Sequence, residues 1–169
     1  MIKELKENYL NYILLFFICS IFGYFYEIIL GYIKNGEVIS NGIFYGPWLP
    51  IYGSGALLIS LLNKYRKNPF LIFILSFFVS GLLELLCGFI LLEYLNLHLW
   101  DYNGWFLNIN GFVCFLSALC FGIGGLLIIY LILPLIHIII EKFNKIRLKN
   151  ILFILSILFI LDVLITFFI

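Results

Sequence analysis

Apolar runs too long for the core of a soluble domain dominate this chain. They cover roughly residues 9–33, 69–93, 111–140 and 151–168, with a shorter run at 50–63. About 18–20 consecutive apolar residues cross the hydrocarbon layer of a bilayer as a helix. Hydrocarbon offers the backbone no outside hydrogen-bond partner, so a helix must satisfy its own groups. Of the 169 residues 64% are hydrophobic and 11% charged, against about a quarter charged in ordinary soluble domains, which excludes a soluble globule. No run alternates as the strands of an outer-membrane barrel would. The expected fold is all-α: a polytopic helical membrane protein with five transmembrane helices in a single transmembrane domain over 1–169.

Charge orients the spans. With the N-terminus inside, Lys3, Lys6, Lys64, Arg66, Lys67, Lys142, Lys145, Arg147 and Lys149 fall on the cytoplasmic side and Lys34 alone outside. Lys and Arg concentrate in short cytoplasmic loops, so five spans would leave the C-terminus outside. The same orientation puts Trp48, Trp100 and Trp105 at the outer boundary, as an aromatic belt, and Glu27, Glu37, Glu84, Glu93, Asp101 and Asp162 in the outer half or beyond it. The N-terminal run lacks a small-residue cleavage site, so the first span is expected to be retained. The four cysteines (Cys19, Cys87, Cys114, Cys120) lie in apolar runs and read as packing residues rather than a disulfide framework. The net charge of +1, with no basic face, argues against a nucleic-acid partner.

The stretch "NGIFYGPWLPIYGSGA" (41–56) breaks this monotony with Pro47, Pro50, Gly42, Gly46, Gly53 and Gly55. A helix from Pro50 to Asn63 would reach only about 21 Å at 1.5 Å per residue, short of the ~30 Å core. Residues 43–49 are therefore expected to cross the outer part of the membrane without regular helix, so that the second helix is interrupted at its outer end. Irregular backbone at that depth needs protein or a watery cavity around it. The free N–H groups of the first helical turn, with their positive dipole end, are expected to face such a polar cavity. A proline-rich interfacial turn without any ligand is the open alternative.

Spacing pairs small residues with the acids. Gly23, Glu27 and Gly31 share one helix face, as do Ser80, Gly81, Glu84 and Gly88; Gly53, Ala56 and Ser60 make a third stripe, and Gly111, Cys114, Ala118, Gly122 and Gly125 a fourth. Small residues let helices approach closely where lipid removes the hydrophobic drive for association. Each glutamate is thus expected in a helix–helix seam, and the two are expected to approach each other beneath a cap formed by 94–110. "YEIILGYI" (26–33) and "LELLCGFI" (83–90) also match in pattern. That suggests tandem helical hairpins, 9–63 and 69–140, followed by a further span at 151–168.

Three stretches, "GYFYEII", "NGIFYGPWLPIYGSGALL" and "LWDYNGWFLNINGFVCF", resemble the bacterial family of putative ABC-transporter type IV, or CmpB-type, permeases. The similarity runs from about residue 12 to about 136. It implies a polytopic transport protein of the bacterial cytoplasmic (inner) membrane. Positions matching the family pattern are Glu27, Gly46, Pro47, Pro50, Tyr52, Gly53, Gly55, Glu84, Trp100, Asp101, Tyr102, Asn108, Asn110 and Gly111. Leu99 and Asn103 stand where that pattern often carries tryptophan and serine, and Phe112 where it sometimes carries arginine.

The expected function is that of a membrane-embedded transport component with an outward-facing polar pocket. Its candidate binding residues are Glu27, Tyr45, Gly46, Pro47, Pro50, Tyr52, Gly53, Glu84, Trp100, Asp101, Tyr102, Asn108 and Asn110. No catalytic residue, metal or cofactor is expected. The bilayer is one partner. No GxxxxGK[ST] occurs in the chain, so ATP hydrolysis would fall to a separate ATPase subunit. A homo-oligomer is the other expected assembly. Two further classes stay open: an intramembrane enzyme acting on a lipid or envelope substrate, and an accessory or scaffolding subunit. "YGSGA" around Ser54 resembles the serine motif of rhomboid proteases, but Tyr52 replaces their glycine and His137 lies near the inner face. His98 with Asp101 and Glu93 reads as interfacial hydrogen bonding rather than a metal site.

Overall fold

The structure is a computed structural model that describes residues 2–36 and 42–168. Glu37 and Asn41 lie outside the described residues. The elements are α1 (Ile2–Asn35), α2 (Pro50–Ser60) running into a 3-10 segment (Leu61–Tyr65), α3 (Pro69–Leu95), α4 (Phe115–Leu127), a π-helical turn (Ile128–Ile132), α5 (Leu133–Lys142) and α6 (Lys145–Phe168). No strand forms among the described residues; one isolated bridge joins Ile109 and Val113.

Among the described residues, four stretches are long and apolar enough to cross a membrane: Tyr9–Ile33, Pro69–Leu95, Phe115–Lys142 and Lys145–Phe168. The fifth expected span is not among them. Its α-helix has 11 residues and begins at Pro50, after a non-helical lead-in at 42–49. Proline at a helix start loses nothing, since the first N–H groups have no partner within the helix. At the other end the polar sequence from Asn63 to Asn68 stops the apolar run. The last two spans also start differently from their apolar runs. Residues 111–114 belong to the preceding loop, and α6 starts at Lys145.

Local chemistry sets the other boundaries. Asn68 caps α3, its side chain accepting from Leu71 N at 3.1 Å, with Pro69 in the first turn. Asn96, at φ 53°, closes the same helix in the left-handed conformation that asparagine tolerates. Cys114 and Ser117 form a reciprocal capping box at the head of α4: Ser117 N donates to Cys114 Sγ at 3.3 Å, and Cys114 N donates to Ser117 Oγ at 3.1 Å. Pro134 explains the π turn. It has no N–H to offer Tyr130, and its ring clashes with a normally placed carbonyl four residues back, so the helix widens just before it.

The chain divides into two compact units, residues 1–53 with 133–169, and residues 54–132. In the first, Leu10, Phe17, Leu148 and Leu152 form a core, with Ile13, Phe16, Ile140 and Phe159 packed around it. The rings of Phe16, Phe17, Trp48 and Phe159 meet edge to face. In the second, α3 buries Ile72, Ser76, Ser80, Glu84 and Gly88, a strict every-fourth-residue face. Buried Ala118, Gly122 and Gly125 line α4. The approach is close: a Cβ on Gly122 would lie 2.8 Å from Phe73 Cε2, and one on Gly125 would lie 2.0 Å from Ser76 Oγ. The small-residue stripes expected from spacing are where these helices touch.

Candidate functional site

Three carboxylates of the spanning-length helices accept hydrogen bonds from elsewhere in their own unit, Asp162 and Glu27 in the first unit and Glu84 in the second. Asp162 of α6 is 7% exposed. It accepts from Tyr45 N at 3.0 Å, Gly46 N at 2.8 Å and Trp48 Nε1 at 2.7 Å. Thr166, one turn further on, donates to it weakly at 3.4 Å. The irregular 42–49 segment is thus tied down by a carboxylate from the last helix. Glycine is needed at 46 because the Trp48 indole folds back over it: a Cβ there would sit 2.2 Å from Trp48 Cζ2.

Within the segment, the N–H groups at 45 and 46, ahead of the first turn of α2, face an internal acid. Trp48 is buried at 7% and serves Asp162 rather than an interfacial belt, whereas the Tyr45 side chain is 83% exposed. The physical reason is general: a buried backbone N–H group needs an acceptor, and here the protein supplies it from Asp162.

Glu27 of α1 accepts from Tyr52 Oη at 2.5 Å. Gly23, one turn earlier, makes room for that ring; a Cβ on it would lie 2.3 Å from Tyr52 Cγ. Gly53 packs on the same helix, where a Cβ would lie 2.2 Å from Ser20 Oγ and 2.7 Å from the Phe16 carbonyl oxygen. Leu49 N donates to the Ser20 carbonyl at 3.0 Å, fixing the entry into α2.

In the second unit Glu84 is 4% exposed. Tyr102 Oη donates to its Oε1 at 2.9 Å, and Ser117 Oγ lies 2.9 Å from its Oε2. The 96–114 loop is ordered by its own bonds. Tyr102 N donates to Gly111 O at 2.9 Å, Trp100 Nε1 to Phe112 O at 2.8 Å, and Ile109 N to Val113 O at 2.9 Å. Asn108 serves the loop backbone, its Nδ2 donating to Trp105 O at 2.9 Å and its Oδ1 accepting from Gly111 N at 3.3 Å. Asp101 is exposed and accepts from Asn103 N at 2.8 Å. Asn110, also exposed, takes the positive-φ position of the turn before Gly111.

Within each unit the candidate residues have defined partners. Tyr45 and Gly46 meet Asp162 through their backbone; Glu27 meets Tyr52; Glu84 meets Tyr102; Trp100 and Asn108 brace the loop. Pro47 is exposed, and Pro50 opens α2. Each glutamate takes the hydroxyl of a tyrosine from its own unit. Asp162, Trp48 and Ser117 were missing from the candidate set. Asp162 carried a signal, since it is the one charged residue in the apolar run 151–168 and such residues in spans are functional candidates by default.

A family model described as Putative ABC-transporter type IV matches residues 14–167. The chain belongs to this family. Comparison with curated proteins and with solved structures found no match. The family match extends beyond the motif resemblance, which ends near residue 136, and takes in α6 with Asp162. As a member of this family with four spanning-length helices among the described residues, the chain is a multi-pass membrane protein.

Proposed function

We propose that this ABC-transporter type IV protein is the membrane-embedded component of a transport system of the bacterial inner membrane. It presents a polar pocket outward and works with a separate ATPase subunit. The observation that carries the reading is the family match over 14–167, which reaches into all four spanning-length stretches and takes in Glu27, Glu84 and Asp162. The chain has no phosphate-binding loop of its own, which is why a second chain supplies hydrolysis. α2 with its 3-10 extension reaches about 26 Å at 1.5 and 2.0 Å per residue, so this short element and its irregular lead-in make the fifth crossing. The Lys and Arg distribution then supports an N-terminus inside and a C-terminus outside.

Two measurements test this. A reporter fused after Ile169 is expected to be active only outside the cytoplasm; a cytoplasmic result removes the fifth crossing. Affinity purification of the tagged protein from native membranes is expected to bring an ATPase with it. A stoichiometric partner without nucleotide-binding motifs would favour the accessory-subunit reading. That second reading has its own support: Glu27, Glu84 and Asp162 all accept hydrogen bonds from within the chain, as structural groups do.

A further inference from the structure

Charge in the second unit is sorted by end. Between residues 54 and 132 the cations are Lys64, Arg66 and Lys67, and the acids are Glu84, Glu93 and Asp101. The cations lie in the turn from the 3-10 segment into α3, just before Pro69, and all three are exposed. From Pro69 to Glu84 is about 22 Å along the helix at 1.5 Å per residue, and the other two acids come later still. No acid of this unit is therefore within reach of the turn. Among the described residues none of the three cations takes part in an ion pair. Their countercharge has to come from outside the unit.

The turn is built, not loose. Arg66 N donates to Asn63 O at 3.1 Å and Asn68 N to Tyr65 O at 2.9 Å. Tyr130, from the π turn of the neighbouring helix, holds Arg66 twice. Its hydroxyl donates to the Arg66 carbonyl oxygen at 2.5 Å, and the guanidinium carbon lies over its ring, 5.7 Å from the centroid. Lys64 Nζ lies over the Tyr65 ring, 4.9 Å from the centroid. A cation–π contact is made to the ring face and uses up no hydrogen-bond acceptor site, so the N–H groups of Arg66 and Lys64 stay available to an anion. π turns are rare and recur at functional sites, and this one carries Tyr130.

The surroundings select the anion. Leu61 and Phe70, on either side of the turn, are 62% and 74% exposed. Phe70 is the second residue of the spanning-length stretch Pro69–Leu95, so the cations stand where hydrocarbon gives way to headgroups. Only residues 66–68 separate the 3-10 segment from α3, which keeps the turn close to that boundary. Lys and Arg in such a position are drawn to anionic lipid. We propose that the 64–67 turn is a binding site for the headgroup phosphate of an anionic phospholipid. Arg66, steadied on Tyr130, offers the planar fork that matches two phosphate oxygens, and Lys64 and Lys67 flank it as point charges. The site stands whether or not an ATPase joins the protein.

Spin-label resonance of the purified full chain, reconstituted in phosphatidylcholine, tests it by measuring the lipid whose motion the protein restricts. Spin-labelled phosphatidylglycerol is expected to be held several-fold more strongly than spin-labelled phosphatidylcholine. Lys64→Gln/Arg66→Gln/Lys67→Gln changes exposed side chains only, and should lose most of that preference while keeping the melting temperature. Lys145→Gln/Arg147→Gln/Lys149→Gln removes the same charge from α6 and should keep most of it. Tyr130→Leu keeps every charge but releases Arg66, and is expected to weaken the preference about two-fold. Equal loss in the two triple variants overturns the site, since charge alone would then explain the binding. A Tyr130→Leu protein that binds like the wild type overturns the part given to Tyr130. Inorganic phosphate that abolishes the preference at constant ionic strength would assign the turn to free phosphate. An unchanged preference in the first triple variant, with loss of a co-purifying protein, would assign it to a protein partner. Either result overturns the lipid site.

Discussion

Replacing Asp162 by alanine is expected to destabilise the protein by about 3 kcal/mol or more. The change strips a buried acceptor from three N–H groups, those of Tyr45, Gly46 and the Trp48 indole. A buried donor left without its acceptor costs about 1–3 kcal/mol. The two backbone donors are only partly buried, which argues for the lower end of each contribution. For a chain of this size that loss corresponds to a fall of about 6–12 °C in melting temperature. Graded variants separate the acceptor from mere packing. Trp48→Phe keeps the carboxylate and two of its donors, and is expected to cost about 1–2 kcal/mol. Asp162→Asn keeps one acceptor oxygen and turns an NH2 toward donors, so it should fall between the two. Thermal unfolding of the purified protein measures the order, and limited proteolysis at 42–49 reports whether the segment comes loose. If Asp162→Ala melts with the wild type and the segment stays protected, the carboxylate is not its anchor.

What could be read ahead of the structure follows from how far apart in sequence each interaction reaches. Hydrophobic length alone picks out the four long helices, because a bilayer imposes a length that soluble cores do not. The buried faces of α3 and α4 follow from residues three and four apart, a spacing any helix turns into a stripe. So Glu84, Gly88, Ala118, Gly122 and Gly125 could be placed in a seam before their partners were known. The Asp162 bonds could not. They join residues 114 to 117 positions apart, and no local pattern links an aspartate in the last helix to an irregular segment after the first. Without that link nothing marked the backbone of residues 45 and 46 as bound to an acid, and Trp48 seemed interfacial. Ser117 was hidden for another reason. A serine three residues into a helix has a sufficient local role in the capping box, so nothing in the sequence marks its second contact with Glu84.

The α3–α4 seam gives the other large effect, and two neighbouring glycines make it discriminating. Gly125→Ala would place a Cβ 2.0 Å from Ser76 Oγ and 2.4 Å from Ser76 Cβ. Turning the Ser76 side chain relieves the first clash but not the second, since Cβ is fixed to the backbone; the helices themselves must move apart. Helices in lipid associate through close packing rather than a hydrophobic drive, so a forced separation also weakens the neighbouring contacts of Gly122 with Phe73. Overpacking of this kind costs about 1–3 kcal/mol. At Gly124 a Cβ would meet nothing within 4 Å. Gly124→Ala is therefore expected to be neutral or stabilising by up to about 1 kcal/mol, through the better helix propensity of alanine. Rescue sharpens the test. Ser76→Ala leaves the Cβ clash in place and should restore little to Gly125→Ala. Ser76→Gly removes both clashing atoms and should restore most of the loss, less the roughly 1 kcal/mol that glycine costs inside a helix. Melting temperatures of the single and double variants decide the matter: equal behaviour of Gly124→Ala and Gly125→Ala, or equal rescue by alanine and glycine at 76, would mean that α3 and α4 do not meet at this pair.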